Sequence, residues 1–288
     1  MLKIGFIDLF LDEWHAHHYP QWIRDSSLRC GIPAEAAYAW AETDKPGGLD
    51  TASFCKTYGL ERMDSAERLA ERADAIIVLA PDHPETHERL AAAALRSGKP
   101  VYVDKTFSPD LAAGRRLFDL AARHGTPMFS SSALRFAREF AELPEDLRRP
   151  GGLERVSTTG GGNFRHYCVH QFEMVTALLG TGASRVKSLS GRHTGLVAVD
   201  YPDGRSAVIQ LNEFLPFQAM LQRPDGSGVF VPTVSEIFER MFDAMLPFFA
   251  GGESPVPQAH TLEVMALVEA SIQAVAADDT WVDLPGRD

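Results

Sequence analysis

The sequence is short of cysteine, short of positive charge and without a long apolar run, and each shortage removes a class of protein. Its three cysteines, Cys30, Cys55 and Cys168, are odd in number and irregularly spaced. That fits neither a disulfide framework nor a zinc ribbon and points to a reducing, cytoplasmic setting. Lys and Arg number 28 against 39 Asp and Glu, a formal charge of -11, which argues against nucleic acid or an anionic membrane as a partner. No apolar stretch reaches membrane-spanning length, and the chain opens on a strand with no basic and apolar leader. Repeats, low-complexity tracts and long flexible linkers are missing as well. What remains is a globular chain of 288 residues, long enough for two domains with sizeable cores.

The most informative stretch runs from Ala75 to Thr106. Ala75-Ile-Ile-Val-Leu-Ala80 is an unbroken apolar run of strand length, suited to a parallel strand buried on both faces. Pro81 ends it, Pro84 fits a first helical turn, an alanine-rich segment runs to Ser97, and Gly98 fits the left-handed position past a helix end. Val101-Tyr-Val103 then predicts a second buried strand, with Asp104-Lys105-Thr106 at its carboxyl end. Ligands bind at that end of an open parallel sheet, so Lys105 is the leading candidate for chemistry.

The same alternation extends on both sides. Leu2 to Ile7 and Ala36 to Ala41 predict strands, Thr51 to Tyr58 a helix stopped by Gly59, Asp64-x-x-Glu67 a capping box, Ser108-Pro109 a further helix start, and Thr126 to Ser130 a last strand. This predicts an α/β domain over residues 1–130, a doubly wound parallel sheet. Beyond it, strand-like segments at Leu153 to Thr159, Arg185 to Gly191, Gly195 to Tyr201, Ser206 to Asn212 and Phe217 to Gln222 are joined by turns such as Pro202-Asp203-Gly204. Residues 131–288 therefore predict an α+β domain with a mostly antiparallel, open sheet. Such a face needs cover, which favours a homo-oligomer. Thr233-x-x-Glu236 predicts the cap of a helix carrying Ile237, Phe238, Met241, Phe242, Met245 and Leu246, and His260 to Ala277 predicts another. Their stripes read as core or subunit interface.

Near the N-terminus, Pro20 stands where an uninterrupted first helix would run, so the helix is expected either to kink or to start near Pro20 after an enlarged loop. Asp12, His15, His17 and His18 could furnish metal ligands, but they follow no familiar ligand spacing, and a polar loop is the plainer reading. Glu42 ends the second strand roughly where a dinucleotide fold presents an acid to the adenosine ribose; a solvated acid beside Asp44 explains it as well.

Taken together, Pro81-Asp82-His83-Pro84-Glu85-Thr86-His87, the alanine-rich helix and Asp104-Lys105-Thr106 resemble the glucose–fructose oxidoreductase / inositol dehydrogenase / MocA (Gfo/Idh/MocA) family. Its pattern there is strand, Pro-Asn-x-x-His, helix and Glu-Lys-Pro. Leu134-Arg135-Phe136 resembles its passage between domains. Gly160-Gly161-Gly162, His170 and Glu173 match its Gly-Gly-Gly, Asp-x-Gly-x-His and later acid, with His166 in place of the aspartate and Cys168 in place of the glycine. The resemblance implies a Rossmann-like first domain, NAD or NADP as hydride carrier, and oxidoreduction of a sugar, polyol or related small molecule.

It also implies site residues. Lys105 would be the acid/base and His170 its partner. His166, four residues from His170 and so on the same helical face, would shape the site. A histidine pair and partial burial would lower the lysine pKa towards the working range. Arg135, Arg165 and Tyr167 would touch substrate, while Asp8, Phe10, Glu42, Pro81 and His87 would stand against the cofactor. The family's Gly-x-Gly-x-x-Gly falls on Asp8, Phe10 and Glu13, all three changed. Glycines there serve turning, close approach of the pyrophosphate and helix packing. A carboxylate about 4 Å from a phosphate charge costs on the order of 4 kcal/mol at an effective dielectric near 20. Two rival functions therefore remain open: a relative that has given up the dinucleotide for non-redox acid/base or metal-assisted chemistry, and a catalytically silent binding subunit.

Overall fold

A computed structural model describes residues 1–189, 195–277 and 279–286. The chain divides into two compact units, Met1–Ser131 with Phe238–Gln258, and Ser132–Ile237 with Ala259–Asp288.

In the first unit, β1 (Leu2–Asp8), β2 (Ala34–Ala41), β3 (Glu61–Arg62), β4 (Ala75–Val78), β5 (Val101–Val103) and β6 (Met128–Ser130) form one sheet in the order β3-β2-β1-β4-β5-β6. All its pairings are parallel. The apolar runs of β4 and β5 are buried at every position, as a central strand covered on both faces requires. The first helix, α1 (Trp14–Cys30), does not wait for Pro20. Glu13 caps it, and the chain stays helical through Pro20, whose missing N–H forfeits one intrahelical bond. Two further caps differ from expectation by a residue or two. Ser65, not Asp64, accepts from Arg68 N–H, and Asp110, beyond Ser108-Pro109, accepts from Ala113 N–H. The alanine-rich segment is a 3-10 turn, Pro84–Thr86, and two short helices, His87–Leu90 and Ala92–Leu95.

The helix Ile237–Phe249 starts after Thr233, because Glu236 adopts a left-handed φ of 53° that helical backbone excludes. From Phe238 onward it groups with the first unit, although the sequence reading assigns it to the second. Its apolar stripe explains this: Phe242 meets the Tyr19 ring edge-on at 4.8 Å, and Phe238 stacks on Trp22 at 4.3 Å.

The second unit holds β7 (Arg155–Gly160), β8 (Arg185–Ser188), β9 (Gly195–Asp200), β10 (Ser206–Leu211), β11 (Gln218–Gln222), β12 (Gly228–Val231) and β13 (Trp281–Asp283). Their order is β12-β11-β7-β10-β9-β8-β13, antiparallel except for the β7–β10 pair. The short strands β12 and β13 escape the sequence reading. Ser190 and Gly191, the expected end of β8, lie outside the described residues. On β10, Ala207, Ile209 and Leu211 alternate inward, and Phe172 of the helix Phe164–Leu179 is fully buried in the same unit. Burying one such ring contributes roughly 1.5–3 kcal/mol.

Candidate active site

The carboxyl ends of β1, β4 and β5 converge on one buried carboxylate, Asp104, 1% exposed. Its Oδ1 accepts from the Lys105 N–H at 2.8 Å and lies 3.0 Å from the Tyr102 hydroxyl. Its Oδ2 pairs with His15 Nδ1 and takes a longer contact from the Tyr19 hydroxyl at 3.4 Å. Burial works against the charge on Asp104, but His15 and these donors outweigh it and hold the carboxyl below its usual range. Burial first, then Asp104, push the Tyr19 phenol well up, so it stays a donor.

Lys105 thus has its backbone fixed and its side chain nearly enclosed, 13% exposed, with Nζ 3.5 Å from Asp82 Oδ1. Within its own unit the carboxylates of Asp82 and Asp104 stand beside it. Beside it the chain is strained, since Ala80 sits at φ 70°, a region rare for a residue with a side chain. Buried Pro81 accepts from Thr106 N–H at 3.3 Å, tying the ends of β4 and β5 together. His87 is fully buried, its ring nitrogens 2.9 Å from Phe107 O and 2.7 Å from Leu79 O. It staples these same two strand ends and has no surface left for a ligand.

After β1 the chain turns on its own polar groups. Asp8 is 1% exposed, with Oδ1 accepting from Leu9 N–H and Oδ2 lacking a partner. Burial, then the nearby Glu13, push its carboxyl well up. Phe10 lies edge-on to His83 at 5.7 Å and under the Lys45 ammonium at 5.6 Å. Glu13 points its carboxylate back into the first turn of α1, accepting from His15 N–H at 2.7 Å and from Ala16 N–H. His17 bridges Asp12 and the Tyr58 hydroxyl, each at 2.7 Å, and His18 reaches Trp14 O. Among the described residues no three His, Cys, Asp or Glu are grouped to hold a metal ion. Glu42, at the end of β2, is paired with Arg89.

In the second unit the helix Phe164–Leu179 carries both histidines. His170 Nδ1 lies 2.6 Å from Ser132 Oγ, and its ring sits 5.3 Å from that of Tyr167. His166, Arg165 and Tyr167 are exposed on the first turns. Arg135 is engaged elsewhere than expected. Its Nε donates to Glu173 Oε2 at 2.7 Å, with side chains only 9% and 3% exposed, and its terminal nitrogens donate to His260 Nδ1 at 3.3 and 3.4 Å. Burial, then Arg135, bring the His260 pKa down to about 4. Burial pushes the Cys168 thiol up to about 12, which removes it as a nucleophile.

With this geometry in view, the likeness to known proteins is specific. A family model described as an oxidoreductase family with an NAD-binding Rossmann fold, GFO_IDH_MocA, matches residues 41–131. Inositol 2-dehydrogenase 2 of Saccharopolyspora erythraea is 27% identical over 206 residues, 65% of this chain and 53% of that protein, so the match spans about half the curated relative's length. A structure described as a probable dehydrogenase from Thermotoga maritima has a TM-score of 0.77 at 16% identity, over 98% of this chain and 99% of its own. An oxidoreductase from Agrobacterium radiobacter in complex with NAD+, L-tartaric acid and magnesium has a TM-score of 0.73 at 16% identity, covering 98% of each chain. The chain is thus similar to the Gfo/Idh/MocA oxidoreductases in its first unit and in its fold.

In a Rossmann unit the pyrophosphate lies on the N-terminus of the first helix. In this chain, Glu13 already takes two of the N–H groups there, and Asp8 and Phe10 fill the turn. These residues do not fit a dinucleotide pyrophosphate. Four partners in the two sites escape the sequence reading. His15 is read there only as a metal candidate, while Tyr19, Ser132 and His260 are passed over. Tyr19 follows His15 by one helical turn, a signal that opens once α1 is started at Glu13.

Proposed function

We propose that this chain is an enzyme of oxidoreductase ancestry that moves a proton on a small hydroxyl- or carbonyl-bearing molecule of the sugar or polyol class, with Lys105 as the acid/base. The observation that carries this reading is the setting of Lys105: a nearly enclosed amine at the carboxyl end of a central parallel strand, its backbone anchored by a buried carboxylate. An amine so held can take a proton from a hydroxyl or return one to a carbonyl oxygen. His170, oriented by Ser132 in the second unit, is the second candidate acid/base in this reading. The polyol class is supported by the name of the Saccharopolyspora relative. The same name favours NAD or NADP as hydride acceptor; the filled turn after β1 favours a non-redox rearrangement, in which the proton taken from the molecule is returned to it at another atom.

The test is turnover of a panel of polyols, sugars and hydroxy acids followed by NMR, each with and without added NAD and NADP. Lys105→Ala should lower turnover by roughly 100- to 10,000-fold, the usual contribution of a general acid/base, while leaving Tm nearly unchanged. Full activity in that variant, or its unfolding, would make Lys105 structural.

A further inference from the structure

We infer that Glu13 supplies from within the chain the anion that a dinucleotide would otherwise bring to the N-terminus of α1, so that this seat is closed to phosphate and ligands held at this end of the sheet carry none. The inference does not depend on the role of Lys105.

Three observations carry it. The first N–H groups of a helix have no intrahelical partners and present partial positive charge, which is why phosphates settle there. In this chain the donors of His15 and Ala16 are spent on the Glu13 carboxylate. A phosphate would have to displace a tethered carboxylate that pays no translational entropy to stay.

The second observation is the charge around the seat. Asp8 and Asp104 both act electrostatically on Glu13's neighbourhood, so three acidic side chains gather where an incoming phosphate would bring further negative charge. Burial pushes the Asp8 carboxyl well up and the Glu13 carboxyl up, while Asp104 is held below the usual range, so the repulsion rests most firmly on Asp104.

Third, the cations beside the loop already have partners within the chain. Lys45 donates to Asp12 O at 2.8 Å, and Arg89 is paired with Glu42 at the strand end where a ribose acid is expected. A hydroxyl-rich, uncharged ligand meets none of these obstacles and can use the same polar groups as acceptors.

Calorimetric titration of the full chain with NAD+, NADP+ and ADP tests this. The wild type should bind each with Kd weaker than about 0.1 mM. Glu13→Gln keeps an oxygen for the cap but removes the charge. The double variant Asp8→Gly with Glu13→Ser opens the turn while leaving a neutral cap on α1. ADP affinity should rise at least tenfold in the double variant, roughly 1.4 kcal/mol, and by a smaller factor in Glu13→Gln. Circular dichroism melting, run alongside, identifies variants that remain folded. Wild-type binding tighter than about 10 µM would overturn the inference. So would folded variants that bind ADP no better than the wild type, because something other than these carboxylates would then exclude it.

Discussion

Each unit buries a group of ionisable side chains, and the two groups solve the cost of burial in opposite ways. In the second unit Arg135, Glu173 and His260 are mutually paired: a guanidinium donates to a carboxylate, whose pKa burial still raises against Arg135, and to an imidazole that stays neutral to accept. In the first unit Asp8, Glu13 and Asp104 face one another with His15 among them, and Asp8 keeps an oxygen without a partner. Buried charge persists cheaply only where it is paired. A balanced group is what a scaffold needs. An unbalanced one, at the end of the sheet that holds Lys105, is the kind of setting the proposed acid/base role calls for.

The largest expected effect comes from breaking the balanced group. Glu173→Ala strands the Arg135 guanidinium in a site that is 9% exposed, and should cost about 3–5 kcal/mol in denaturant unfolding. Replacing both residues by methionine should recover most of that loss, since a well-packed apolar pair is often neutral relative to a buried ion pair. A single-variant cost below about 1 kcal/mol would put the pair in the class of screened surface bridges and erase the contrast between units.

How much of this was legible beforehand follows from the range of each signal. The β4–helix–β5 unit is encoded within about thirty residues, by an unbroken apolar run, a proline and a glycine, so its place and the position of Lys105 can be read directly. The burial of Asp8 can be argued only once β1 is known to be flanked by β2 and β4. The Arg135–His260 contact spans 125 residues and the His170–Ser132 contact 38, separations at which no local pattern survives. The α1 start is left open between two readings for another reason. Pro20 by itself signals either a kink or a late start, whereas the cap at Glu13 and the burial of Tyr19 against Phe242 outweigh one lost hydrogen bond. The same helix start turns His15 from a loop histidine into the partner of Asp104.

A middle-sized effect of opposite sign should come from the unbalanced group. Folded Asp8 keeps its proton at pH values where the unfolded chain, with the ordinary pKa of 3.8, has lost it. The folded state therefore binds more protons across that window, and stability falls as pH rises through it. Asp8→Asn retains the oxygen that accepts from Leu9 N–H and removes the titrating group. It should stabilise the chain by on the order of 1 kcal/mol at pH 7, with the gain fading towards pH 4. Removing a carboxylate would then destabilise one unit and stabilise the other. A loss of stability at pH 7 would show Asp8 to be satisfied in the fold, and the two groups would no longer differ.

The smallest effect, and the sharpest probe of the balanced group, is the titration of His260. Burial and the adjacent Arg135 depress its pKa from 6.5 to about 4, and its Nδ1 must be unprotonated to accept from the guanidinium. Between those two values the unfolded chain takes up a proton that the folded chain refuses, so stability is fully present above about pH 6.5 and declines as pH falls towards 4. The proton-coupled NMR signals of His260 should accordingly stay those of a neutral ring until about pH 4, and His260→Gln should flatten the acid-side decline over the same window. A midpoint near 6.5 would mean that solvent reaches the ring and that Arg135 is held by Glu173 alone.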